Sequence, residues 1–261
     1  MEPSDVTLFR NTCPKSIVRQ VQNNLKCGVR HLIKRHPALY IGVSRLRFRP
    51  SPLINSAVPQ VVDGDTEIVI EGMMRSATSF AVVAFAQAQD RPVKVAHHLH
   101  SAAQVITASR LHIPTLVILR NPEDVALSRV TSHPPITLRQ ALREYLEFYF
   151  HIIPFRKSFV LGSFDSVVSD LGRIIARINE KFGTRFVEFC HTEENSNRCL
   201  DLVAQFERAQ RRAPENTLAR PNAERSRLKD CLRAKYRSPE LADIRTQAEN
   251  VYEVLRSSTR D

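Results

Sequence analysis

Residues 68–85 read IVIEGMMRSATSFAVVAF: an apolar run enters a short polar turn, and a second apolar run leaves it. The turn, Met74-Arg75-Ser76-Ala77-Thr78-Ser79, holds one cation and three hydroxyls in six residues. With a buried strand before it and a helix from Phe80 after it, the backbone N–H groups of the turn and the positive end of the helix converge where an anion can sit. The stretch therefore predicts a phosphate-binding loop, and with it an α/β fold.

Outward from the loop, short apolar runs alternate with helix-like segments. Strands are predicted over 67–71, 93–96 and 115–119, and helices over 80–89 and 102–110. This alternation predicts a three-layer α/β/α arrangement around a central parallel sheet. Its ligands belong at the strand ends after Ile70, Ala96 and Leu119. Farther on come a helix over 138–155 with Tyr145, Phe148, Tyr149 and Phe150 on one side, a strand over 158–161, and a helix over 167–182 that Gly183 caps. The organisation read from these changes is a basic N-terminal extension over 1–60, an α/β core over 61–190, a polar loop or lid over 191–222, and C-terminal helices over 223–261 that pack on the core. The N-terminal extension includes a basic amphipathic pattern over 16–34, whose apolar face suits docking on the domain, a membrane surface or a partner.

Composition narrows the class. Lys and Arg number 38 against 27 Asp and Glu, a net +11 that favours anionic ligands or describes a solvated basic surface. The cations are dispersed and no nucleic-acid-binding motif accompanies them, so a nucleic-acid partner is not expected. Cys13, Cys27, Cys190, Cys199 and Cys231 are odd in number, widely spaced and without a CxxC pair, which predicts neither a disulfide framework nor a zinc site. No segment approaches the ~18 apolar residues of a membrane span. The chain reads as cytoplasmic, with no metal.

The loop also excludes a chemistry. A nucleotide-cleaving P-loop needs GxxxxGK[ST]; residues 72–79 have the spacing, but Ala77 and Thr78 stand where the second glycine and the lysine belong. The cation here is Arg75, beside Ser76, Thr78 and Ser79, a set suited to a phosphate or sulfate group held without metal. A second constellation follows the third strand: Arg120-Asn121-Pro122-Glu123-Asp124, then Ser128. Asn121-Pro122 begins a turn and the acidic pair favours a helix start, leaving Arg120 at the strand's mouth. Arg120 and Ser128 then share a second phosphate, or else Arg120 pairs with a neighbouring carboxylate and Ser128 merely caps; the stretch alone leaves both open.

Together the two motifs resemble the sulfotransferase family, which uses 3'-phosphoadenosine 5'-phosphosulfate as donor. Met74 to Phe80 follows the family's 5'-phosphosulfate loop, Pro-[Lys/Arg]-Ser-Gly-Thr-[Thr/Ser]-[Trp/Leu], with Met74 for the proline and Ala77 for the glycine. Arg120, Asn121, Pro122, Asp124 and Ser128 meet the 3'-phosphate motif in full. The similarity continues through Phe164 to Asp170 and to Phe182-Gly183, is weaker at Arg220-Pro221 and Arg225, and leaves the first 60 residues uncovered. It implies a P-loop-like sulfotransferase fold, Arg75, Ser76, Ala77, Thr78, Ser79, Phe80, Arg120 and Ser128 as donor-binding residues, and a small-molecule or glycan acceptor. Ala96-His97-His98-Leu99-His100 can be laid on the family's Lys-Thr-His-Leu-Pro segment, which makes His98 the catalytic base with His97 and His100 as substitutes. Arg75 would then stabilise the departing phosphate. The alternatives are a small-molecule kinase of P-loop type and a catalytically inactive nucleotide-binding module of the same fold.

Overall fold

The computed structural model describes residues 36–48, 58–132, 136–211 and 223–257, so the pattern over 16–34 lies outside the described residues. Four apolar runs form the sheet: β1 (Ile68–Gly72), β2 (Val95–His97), β3 (Thr115–Leu119) and β4 (Val160–Ser163). All pairs are parallel and the order is β2-β1-β3-β4. Every strand residue except Ser163 is buried, as in a parallel sheet covered on both faces.

Strand alternation divides the core into two layers. Ile68, Ile70, Leu116, Ile118 and Val160 pack with α2 (Thr78–Ala88), α7 (Leu171–Phe182) and α8 (Glu193–Arg211). Val117, Leu119 and Leu161 face the other way, toward α3 (Ala102–Arg110), α4 (Pro122–Ser132), α5 (Leu138–Ile152) and α10 (Ala242–Ser257). Val69 on that side meets α1 (Pro37–Arg47) through Tyr40 and Ile41. The fold is therefore α/β, with a four-stranded parallel sheet between two helical layers. Two further helices complete it: the short α6 (Phe164–Ser169) follows β4, and α9 (Ala223–Tyr236) packs beside α4.

Local chemistry sets the helix ends. The Ser101 hydroxyl accepts the Ala103 N–H at the start of α3, and Thr137 with Gln140 makes a reciprocal capping box on α5. Gly183 ends α7 at φ 66°, the left-handed cap that the sequence predicts. The predicted helix over 138–155 stops at Ile152 because Pro154 follows, and the chain continues as a 3-10 turn, Ile153–Ser158.

One segment differs in kind. The polar stretch over 191–222, expected as a loop or lid, contains the 19-residue helix α8. Its composition is polar, but Cys199 and Val203, four residues apart, are buried against α2 and seat it on the core. So narrow a stripe is easily lost in a polar average.

The strand order places the site. From β1 the chain crosses by α2 to β2 on one side, then returns by α3 past β1 to β3 on the other. The carboxyl ends of β1 and β3 thus flank the point where the winding reverses, the usual ligand crevice of open α/β sheets. Gly72 makes their approach possible: a Cβ there would lie 2.9 Å from the Ile118 carbonyl oxygen, opposite it in the register.

Candidate functional site

The loop from Met73 to Ala77 leaves β1 and turns into α2. Arg75 and Ala77 hold φ 73° and 68°, the left-handed region. Ala77 occupies the N-cap of α2 without a side-chain cap bond. The first-turn N–H groups thus gain no partner from that side chain, and an anion can serve instead. Arg75 Nε donates to Ser128 Oγ at 3.2 Å, and Arg120 Nη1 donates to the Arg75 carbonyl at 2.8 Å. The loop after β1 and the motif after β3 are therefore one site, 45 residues apart in sequence between Arg75 and Arg120.

Arg120 is anchored on three sides. Its backbone carbonyl accepts the Tyr145 hydroxyl at 3.0 Å, and its guanidinium lies 3.8 Å over the Phe164 ring. The pairing expected as an alternative, with Asp124, is only a 4.0 Å approach to a half-exposed carboxylate, too loose to hold the charge. Arg120 Nε and Thr78 Oγ1 are both buried without a hydrogen-bond partner among the described residues. Both groups lie on residues that line one cavity, where a ligand's polar atoms can partner them.

These residues line a cavity of about 710 Å³. Arg75, Ala77, Thr78, Ser79, Phe80, His98, Arg120 and Ser128 are all on its wall, so the structure brings together every residue the sequence nominates except Ser76 and the substitute base His97, both buried. Ser76 is wholly buried below the loop, its backbone N–H donating to the Met73 carbonyl. The opposite wall was not nominated as donor-binding: Arg225, Ser226 and Lys229 come from α9, and Leu200, Val203 and Glu207 from α8. For the α9 residues the signal in the sequence was the weak similarity at Arg225.

The charges are unbalanced. Four cations, Arg75, Arg120, Arg225 and Lys229, line the cavity against one carboxylate, Glu207. Burial brings Arg75 down to about 10, with Arg225, Arg120 and Arg129 adding repulsion and Glu207 opposing them. Burial likewise lowers Lys229, and Arg120, Arg225 and Arg75 push it further in the same direction. An anion in this space relieves both the repulsion and the desolvation.

Beside the loop, β2 runs into His97-His98-Leu99-His100, whose His98 and His100 also hold positive φ, 59° and 47°. Four of the five non-glycine residues with positive φ among the described residues thus border this cavity. Strain concentrated in this way is a signature of functional sites. His98 Nε2 lies 2.9 Å from Ser79 Oγ, and His98 Nδ1 lies 2.8 Å from His97 Nδ1. His100 Nδ1 donates to the Gly72 carbonyl at 2.7 Å. Buried Glu71 anchors the turn from below, accepting the Leu99, His100 and Gly72 N–H groups and the Gln104 amide. Burial pushes its carboxyl up to about 8 against those four donors, and pulls His97 down to about 3.

Among the described residues no group of three or more His, Cys, Asp or Glu could hold a metal ion, and no helix is long and apolar enough to cross a membrane. No protein-family model and no curated protein matches the chain. Among solved structures the chain is similar to mouse sulfotransferase SULT7A1 complexed with PAP, at 12% identity and a TM-score of 0.41, covering 73% of this chain and 90% of that one.

Proposed function

We propose that the chain is a sulfotransferase that takes 3'-phosphoadenosine 5'-phosphosulfate as donor and sulfates a hydroxyl or amine. The observation that carries this reading is the meeting of Arg75 and Arg120 at the switch point, where unpartnered Thr78 Oγ1 and Arg120 Nε share one cavity with α9's Arg225 and Lys229. Both halves of the family's donor motif are there, and the lysine that a kinase needs is missing. Ala77 departs from the family's glycine yet adopts the glycine-like left-handed conformation, so the loop keeps its shape.

In this reading the N-terminus of α2, Thr78 and Ser79 hold the 5'-phosphosulfate, and Arg120, Ser128 and α9's cations hold the 3'-phosphate. The Phe164 ring, already stacked on Arg120, adds a flat wall on the 3' side. The bound donor would supply an activated sulfuryl group. Arg75, buried and held by Ser128, is placed to stabilise negative charge on the departing phosphate. The histidine turn supplies the base that takes the acceptor's proton.

Isothermal titration with 3'-phosphoadenosine 5'-phosphate tests the reading. Wild type is expected to bind, and Arg120→Ala to bind about tenfold or more weakly, the loss of one charge-assisted contact. No heat in wild type, or equal affinity in the variant, would overturn it.

A further inference from the structure

The helix α1 is apolar on two faces. Tyr40 and Ile41 pack with Val69, Ala96 and Ala103, and Arg45 fastens the last turn to the core, donating from Nε and Nη2 to the Val62 carbonyl at 3.0 and 2.7 Å. Leu39, Val43 and Leu46 lie on the other side, 54%, 45% and 88% exposed among the described residues. Spaced by four residues and then three, they form one stripe. The remaining exposed large hydrophobics, Leu111, Phe150, Val168, Val187, Leu228 and Val254, come one to a segment, as on any soluble surface. Three on one eleven-residue helix make a patch that calls for a partner. Phe150 enlarges it: with Pro37, the first residue of α1, it lines a second cavity of about 360 Å³, whose wall shares His100 with the donor cavity.

Charge decides what covers the stripe. The last turn of α1 carries Arg45 and Arg47, and the helix has no acidic residue. A second copy of α1 would set like charges together, and so would the amphipathic pattern over 16–34, which holds Arg19, Lys26, Arg30 and Lys34 without an Asp or Glu. That pattern repeats the stripe rather than complementing it. Val18, Leu25 and Leu32 fall at seven-residue intervals that run on through Leu39 and Leu46, an interval close to two helical turns. Residues 1–60 hold ten of the 38 Lys and Arg but two of the 27 Asp and Glu, so +8 of the net +11 falls in less than a quarter of the chain. Apolar side chains accompanied by cations alone match an anionic bilayer surface, where the first enter the acyl boundary and the second meet the headgroups.

We propose that α1 docks the protein on an anionic lipid bilayer, with Leu39, Val43 and Leu46 inserted at headgroup level and Arg47 and the other N-terminal cations drawn to the lipid phosphates. The helix lies on the membrane and does not cross it. No residue of α1 lines the donor cavity, so docking and nucleotide binding are separate properties.

The chain contains no tryptophan, so one introduced at a chosen position reports its own surroundings. Full-length Leu46→Trp is compared with Val187→Trp, a position also exposed but held through its backbone by Gln89 at the end of α2, in the other helical layer. With vesicles of equal phosphatidylcholine and phosphatidylglycerol, emission from Leu46→Trp is expected to shift to the blue; with phosphatidylcholine alone it is expected to stay, and Val187→Trp to stay with both. In co-sedimentation, wild type is expected to bind the mixed vesicles about tenfold or more tightly than the neutral ones. Leu39→Gln with Leu46→Gln is expected to lose about tenfold or more of that binding, with the denaturation midpoint of wild type. Wild type that does not sediment with the mixed vesicles, or unshifted emission at position 46, overturns the proposal. Equal binding by the double variant overturns insertion and leaves attraction by charge alone. A wild-type dimer in sedimentation equilibrium that the double variant loses overturns it in favour of a second copy.

Discussion

At the scale of single residues the site is held in conformations that its side chains resist. Ala77 at φ 68° carries a Cβ where glycine would carry none, at a cost of about 1 kcal/mol. Ala77→Gly is therefore expected to raise stability by roughly that amount, read as an increase in the denaturation midpoint with unchanged slope. A lower midpoint would show that the methyl contributes packing that outweighs the strain. His97 gives a pH signature of its own. Its unfolded pKa is near 6.5 and its folded value is depressed to about 3, so between these the unfolded chain binds the extra proton. Its contribution, complete above 6.5, is lost as pH falls, at up to about 1.4 kcal/mol per pH unit. His97→Gln keeps a polar group beside His98 but cannot titrate, and chemical denaturation from pH 7 to pH 4 should show a shallower decline in the variant. Parallel declines would place the ring's charge elsewhere.

At the scale of elements, the close contact of β1 with β3 joins the two halves of the proposed anion site. Gly72→Ala would press a Cβ to within 2.9 Å of the Ile118 carbonyl, a backbone atom in mid-strand that cannot swing aside. The expected destabilisation is on the order of 1–3 kcal/mol, with nucleotide affinity reduced as well because Arg75 and Arg120 separate. Thermal denaturation with and without 3'-phosphoadenosine 5'-phosphate checks it, and a variant equal to wild type in both would mean that the strands can part freely. The α9 helix makes the opposite case, contributing charge to the site with little burial, Arg225 and Tyr236 being its buried residues. Arg225→Ala with Lys229→Ala is expected to weaken that nucleotide about tenfold or more while the melting temperature of the free protein holds or rises, since two mutually repelling cations are lost. Unchanged affinity would remove α9 from the site.

At the scale of the whole molecule, what was legible divides by the reach of the interactions. The strand at 115–119 and the helix at 102–110 end where their sequence patterns end, because period, cap and breaker are local. So does the pairing of the two motifs, since hydroxyls, arginines and an Asn-Pro turn carry their chemistry in adjacent residues. Boundaries drifted where a neighbour intervened: β2 runs on to His97 because Ile70 of β1 pairs with it, with Gln60 bridging its other side, and α8 is a helix because α2 offers Cys199 and Val203 a surface. By itself the sequence determined the parallel α/β class and the loop after β1, with the cation and hydroxyls from which an anionic ligand is proposed. Only the tertiary structure decided that α9's cations close the cavity from 150 residues beyond Arg75, that Ser76 lies beneath the loop rather than on its wall, and that His100 stands between two cavities. Those facts depend on contacts between segments far apart in the chain, and no local pattern of side chains records which distant surfaces will meet.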